Sequence, residues 1–310
     1  MIKRTLYFGN PAYLSLKDEQ LVIKYPEIEK NDTLPESFKK ENQKTIPIED
    51  VGVVVLDHKQ ITITQGLLEK LVDTQCAVIS CNSNRMPSGL LFPLSGNTLQ
   101  TERFKYQIEA SLPLKKQLWQ QTVAAKIENQ AYVLKETQNC ETGNMVKWAE
   151  KVRSGDPENL EARAAAYYWN HLFPDIPGFT RKREGLPPNH LLNYGYAILR
   201  AIIARGLVGT GLLPTLGIHH HNRYNAYCLA DDIMEPYRPF VDRVVVRLWN
   251  QSSVTKDLTR ELKGELLQIP VIDVKINQKR SPLMVAANTT TTSLYKCFSG
   301  EGRKIIYPHF

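Results

Sequence analysis

The first hundred positions alternate short apolar runs with turn-forming residues. Arg4 to Phe8, Leu21 to Tyr25, Val51 to Leu56, Ile61 to Thr64 and Ala77 to Ser80 are brief and rich in β-branched or aromatic side chains, which predicts strands. Ile61-Thr62-Ile63-Thr64 alternates with period two, as a half-buried strand does. Gly9-Asn10-Pro11, Asp57-His58 and Asn82-Ser83-Asn84 supply turn signals between runs. One short helix is predicted at Gly66 to Val72. The polar, charged stretch from Tyr25 to Thr45 reads as an exposed loop.

Near Pro93 to Thr98 the period changes. Trp119, Val123 and Ile127 recur every four residues and predict one face of a long helix starting near Pro113. Tyr194, Ala197, Ile198, Ala201 and Ile202 follow the spacing of a second apolar helix face, with Gly206 and the Gly209/Gly211 pair read as its end. A block of strands followed by a block of helices predicts an α+β chain. Its parts are a small β-rich domain at 1–97 and a larger all-α domain at 98–310. No GxGxxG and no P-loop motif is present, which argues against a nucleotide cofactor and ATP-driven work.

Composition narrows the class. With 42% hydrophobic and 23% charged residues the chain is neither disordered nor fibrous. No apolar run reaches about 18 residues and no signal-peptide stretch follows Met1, so the expectation is a cytoplasmic protein with no membrane partner. Cysteines 76, 81, 140, 228 and 297 are scattered without a CxxC pair, which speaks against a disulfide framework and a thiolate zinc site. Charge is uneven: residues 1–97 carry 11 Lys and Arg against 12 Asp and Glu, net −1, and the remainder 28 against 20, net +8. A basic second part suits a polyanion such as nucleic acid; a generally basic surface without a partner is the alternative.

The densest polar cluster is Gly217-Ile218-His219-His220-His221-Asn222-Arg223, followed by Asp231-Asp232-Ile233-Met234-Glu235. On a helix Asp232 and Glu235 share a face, and Asp231 and Glu235 also approach at i, i+4. Like charges so close need a compensating cation. A divalent metal supplies one; Arg238 and Arg223 are the alternative. Three consecutive histidines cannot all point one way, so at most one or two serve a single ion. Asp156 and Pro157 suit a helix start, which puts Glu161 one turn in, beside Ala164 and Ala165. Arg181-Lys182-Arg183, Lys105 and Arg200 are candidate phosphate contacts, or else solvated faces.

Together GDPENLEARAAAYYW, NHLLNYGYAILRA, GLLPTLGIHHHNRYNAYCLADDIMEPYRPFVD and NSNRMPSG resemble the CRISPR adaptation integrase family, the first-numbered, near-universal CRISPR-associated protein. The likeness runs from about Arg4 to Pro308 and is strongest from Asp156 to Asp242. GIHHHN…LADDIMEPYRP is similar to the type II form.

The resemblance implies a metal-dependent DNA endonuclease and integrase of spacer acquisition. In such an enzyme a prespacer 3′-hydroxyl attacks a phosphodiester of the CRISPR repeat by transesterification. It implies that Glu161, His220 and Glu235 are the catalytic metal ligands for Mg²⁺ or Mn²⁺, with Asp232 behind them. Many members have Asp where this chain has Glu235. It further implies an N-terminal domain for dimerisation and partner contacts, a homodimer, and a complex with the small second CRISPR-associated protein. The rival reading is a non-catalytic DNA-binding scaffold subunit of the same complex.

Overall fold

The computed structural model describes residues 3–251 and 257–310. They group into two compact units, the first ending at Gly96 and the second starting at Asn97.

The first unit runs β1 (Arg4–Phe8), β2 (Ala12–Lys17), β3 (Gln20–Lys24), α1 (Pro26–Glu29), α2 (Glu36–Glu41), β4 (Lys44–Pro47), a 3₁₀ turn at Ile48–Asp50, β5 (Val51–Leu56), β6 (Ile61–Ile63), α3 (Gln65–Asp73), β7 (Ala77–Cys81) and β8 (Pro87–Leu91). One sheet has the order β1-β5-β7-β8, with β8 antiparallel to its neighbour and the rest parallel. The other has the order β4-β3-β2-β6. Residues Val51 to Val55 of β5 are all buried, which is why this strand reads as an unbroken apolar run. Leu14, Leu21, Val54, Leu67, Leu71 and Val78 join strands of both sheets and α3 in one core. The stretch read as a loop between Tyr25 and Thr45 instead carries the short helices α1 and α2, neither with a buried residue. They have no apolar stripe for a periodicity search to find.

The second unit is mostly helical: α4 (Gln100–Glu109), α5 (Leu112–Gln138), α6 (Gly143–Lys151), α7 (Leu160–Leu172), α8 (Asn189–Gly209), α9 (Cys228–Met234), a 3₁₀ turn at Glu235–Tyr237, α10 (Arg238–Gln251), α11 (Arg260–Leu266), a 3₁₀ turn at Ile269–Val271, β9 (Asp273–Ile276), β10 (Lys279–Pro282) and α12 (Leu283–Ser299). The β9–β10 hairpin departs from an all-helical second domain. Its turn, Asn277-Gln278, has positive φ at both residues without a glycine, so the usual hairpin signal is missing.

Two helices organise this unit. α5 starts with Pro113 in its first turn under the Ser111 cap and stops at Asn139, whose backbone is left-handed at φ 52°. It packs on α6, α7 and α10. α8 packs on α9, α10 and α12. By length and apolar character α8 could cross a membrane, but 72% of that stretch is buried inside the protein's own fold. Gly206, read as a stop, lies within α8; the break comes at Gly211, with φ +78°. All five cysteines are thiols.

Candidate active site

α7 begins at Leu160, later than Asp156 and Pro157 suggested. Asp156 still caps it, accepting the amides of Leu160 and Glu161 at 2.9 Å each through its two carboxylate oxygens. This fixes Glu161 in the first turn. Its carboxylate reaches across to α5, where Lys126 Nζ lies 2.6 Å from Glu161 Oε1.

The same ammonium lies 2.6 Å from Oε2 of Glu235. The second oxygen of Glu235, Oε1, accepts from Arg238 Nε at 2.7 Å. Arg238 in turn lies over the ring of Tyr196 on α8. Burial pushes the Glu235 carboxyl up, but Arg238 and Lys126 outweigh it and hold the group at about 2. Burial likewise works against the charge on Lys126, and its two glutamates more than restore it.

His220 stands in the loop before α9, with its side chain 48% exposed. Its Nδ1 is hydrogen-bonded to Asp232 Oδ1, which leaves Nε2 facing outward from that bond. Asp232, on α9, is fully buried. It also accepts the amides of Ile218 and His219 at 2.7 and 2.9 Å and that of His220 at 3.3 Å. Its hydrogen bond raises the His220 pKa against the opposing effect of burial. His219 lies flat against Trp119 of α5, ring centroids 4.1 Å apart, and burial lowers its pKa. His221 is exposed. The three histidines therefore have three different environments.

The acidic run is resolved in the same manner, one partner set per carboxylate. Asp231 takes Arg200 Nε and Asn225 Nδ2, each at 2.7 Å; Asp232 takes the histidine loop; Glu235 takes Lys126 and Arg238. Arg238 is thus a partner as sequence reasoning allowed, whereas Arg223 turns to the hydroxyl of Tyr224. Lys126 was missed. The available signal was a lysine seven residues after Trp119 on the apolar stripe of α5.

The structure thus brings Glu161 and Glu235 onto one cationic atom and holds His220 through Asp232. Among the described residues no three His, Cys, Asp or Glu side chains close on one point as ion ligands. Lys126 stands between the two glutamates. The donor chemistry nevertheless fits a hard divalent ion. Two carboxylates converge where a cation already sits, and an imidazole keeps Nε2 open because a carboxylate holds Nδ1.

The candidate phosphate contacts divide. Arg181 is engaged internally, donating to Asn189 and Asn193 and lying over Tyr196. Lys182, Arg183 and Lys105 are exposed, and Arg200 keeps 40% of its side chain exposed beside Asp231.

Residues 6–271 match the family model described as CRISPR associated protein Cas1. The chain belongs to the Cas1 family. The CRISPR-associated endonuclease Cas1 of Neisseria meningitidis serogroup C (strain 8013) is 35% identical over 294 residues, which span 94% of this chain and 91% of that protein. Among solved structures, a casposase bound to integration product superposes with a TM-score of 0.74 at 17% identity, covering 98% of this chain and 92% of that one. A chain of a Cas6-RT-Cas1–Cas2 complex gives a TM-score of 0.72 at 19% identity, covering 98% of this chain and 36% of the longer one. At these identities the two structures establish likeness to the Cas1 fold.

Proposed function

We propose that this Cas1-family chain is a divalent-metal-dependent DNA endonuclease and integrase. It joins prespacer 3′-hydroxyl ends to the CRISPR repeat by transesterification, in the cytoplasm. The observation that carries the reading is the convergence of Glu161 and Glu235 on one buried cationic position beside a histidine oriented by a buried aspartate. The name of the 35% identical relative, an endonuclease, supports it, as does the casposase with its integration product.

Glu161, Glu235 and Nε2 of His220 are the groups that hold Mg²⁺ or Mn²⁺ in this reading. Such an ion, when bound, polarises a phosphoryl oxygen and stabilises the leaving 3′-oxygen. The chain's own contribution is placement. Asp232 fixes the His220 ring and the loop that carries it. Arg238 anchors one oxygen of Glu235, which leaves the other to face the site. Asp156 sets the start of α7 and with it Glu161. Lys182, Arg183, Arg200 and Lys105 follow the DNA backbone, consistent with the net +8 of the second part. The assembly in this reading is a homodimer that joins the small second CRISPR-associated protein. The fold's occurrence in a Cas1–Cas2 complex supports that partner.

The test is strand transfer of a short duplex into a repeat-bearing plasmid with Mn²⁺ or Mg²⁺. Glu161→Gln, His220→Ala and Glu235→Gln are each expected to lower integration and nicking by about 100-fold or more while DNA affinity changes little, since affinity comes from phosphate contacts elsewhere. Integration at the wild-type rate by Glu161→Gln or His220→Ala overturns the site. DNA binding without strand transfer in the wild type itself favours the scaffold reading.

A further inference from the structure

Two carboxylates that face one another repel unless a cation lies between them. In this chain the fold supplies one. Lys126 Nζ lies 2.6 Å from Glu161 and 2.6 Å from Glu235, its side chain only 10% exposed. The three groups come from three elements, α5, α7 and the 3₁₀ turn after α9, so the triplet is built by tertiary packing.

Charge counting shows what this arrangement does to an incoming ion. Glu161 and Glu235 carry two formal negative charges; Lys126 and Arg238 carry two positive ones. The group is neutral as it stands. Arg238 engages the far oxygen of Glu235, so it does not block the space between the glutamates. Lys126 does. An ammonium and a divalent ion can neutralise the same two facing oxygens only in turn, because their own repulsion at such short range is large. Arginine would grip a carboxylate in a fixed fork, whereas a lysine is a point charge on a flexible four-carbon stem and can withdraw.

We propose that Lys126 is the resident counter-cation of this site, competing with the divalent ion for Glu161 and Glu235 and thereby setting how tightly the ion is held. The inference rests on the metal reading above. It gives Lys126 a role toward the ion itself, and it explains why a buried lysine belongs among the candidate ligands. Together with Arg238, Lys126 keeps the metal-free carboxylate pair neutral, and its competition would weaken the hold on the ion.

The experiment is Mn²⁺ titration of the full-length, DNA-free protein, with unbound Mn²⁺ read by electron paramagnetic resonance. Lys126→Met keeps the stem and removes the charge; Lys126→Gln is the second variant, retaining a hydrogen-bond donor should the apolar one fail to fold. Both are expected to bind Mn²⁺ at least about tenfold more tightly than wild type. Their metal-free melting temperature should fall, and Mn²⁺ should raise it by more than it raises that of wild type. Lys126→Arg, which keeps a cation, should stay near or below wild-type affinity. If Mn²⁺ binding is saturable and lost in Glu161→Gln, yet unchanged or weaker in Lys126→Met and Lys126→Gln, competition is wrong and the metal site stands. If neither wild type nor the Lys126 variants bind Mn²⁺, or Glu161→Gln leaves binding untouched, the metal reading falls and the competition with it.

Discussion

Gly217 shows how tightly the histidine loop is wound around Asp232. A methyl group at this position would lie 2.3 Å from the carbonyl oxygen of His220 and 2.8 Å from Asp232 Oδ2. The first is backbone and cannot swing aside, so the loop itself must shift. The shift would fall on the ring that Asp232 holds and on the three amides it accepts. Gly217→Ala is therefore expected to cost on the order of 10- to 100-fold in nicking and strand transfer, because misplacing a reacting group by about 1 Å has that effect. The fold should survive with a modest loss of melting temperature. Wild-type turnover by Gly217→Ala would show that the loop tolerates the shift.

At the scale of elements, α8 and α10 meet at a glycine. A methyl on Gly195 would sit 2.5 Å from Val241 Cγ1 on α10 and 3.3 Å from Ile269 Cδ1. α10 begins at Arg238, directly after the turn that carries Glu235, so wedging it away from α8 reaches the site. Replacing a mid-helix glycine by alanine gains about 1 kcal/mol of helix propensity, while overpacking a core costs about 1–3 kcal/mol. Gly195→Ala should accordingly be destabilising. Gly206→Ala on the same helix should cost less than Gly195→Ala, since the nearest atoms there belong to the Thr291 side chain at 3.2 and 3.3 Å. Thermal unfolding of the two variants side by side tests this. Equal changes in the two variants would mean that Val241 yields as readily as Thr291 does.

On the whole-molecule scale, Asp242 ties α7, α8 and α10 together, accepting hydrogen bonds from Tyr168 and Tyr196 deep in the second unit. Burial pushes its carboxyl up to about 7, against the opposing pull of the two tyrosine hydroxyls. The folded value lies above the unfolded one of about 3.9, so the stability tied to this group is complete at low pH and is lost as pH rises toward 7. The loss amounts to roughly 4 kcal/mol across that interval. Asp242→Asn should flatten the decline between about pH 4 and pH 7. Glu235 acts in the opposite sense at lower pH. Held at about 2, it contributes stability that disappears as pH falls from about 4.5 toward 2, overlapping that window only at its lower edge. All four tryptophans lie between Trp119 and Trp249, so their fluorescence in denaturant titrations reports the second unit alone. Parallel wild-type and variant curves over this range would mean that Asp242 ionises freely in the fold.

Periodicity alone was enough to locate α5, α8 and the buried strand β5, because each has one strongly apolar face or is apolar throughout. It passed over β2 and the two hairpin turns, Asp18-Glu19 and Asn277-Gln278, where positive φ falls on residues without a glycine signature. Residue type and spacing marked Glu161 and the His219–His221 and Asp231–Glu235 clusters as candidates, and the family resemblance singled out Glu161, His220 and Glu235 with Asp232 behind them. What it could not give was the pairing. Lys126 lies 35 residues before Glu161 in the chain and 109 before Glu235, and only the packing of α5 against α7 and the 3₁₀ turn after α9 brings the three together. Arg181 makes the same point in reverse: a basic run reads as solvent-facing charge, yet its first member is spent inside the fold on Asn189, Asn193 and Tyr196. A side chain's identity and its neighbours in sequence set what it can do. Which charge it meets across the core depends on contacts between distant segments, and those exist only once the chain has folded.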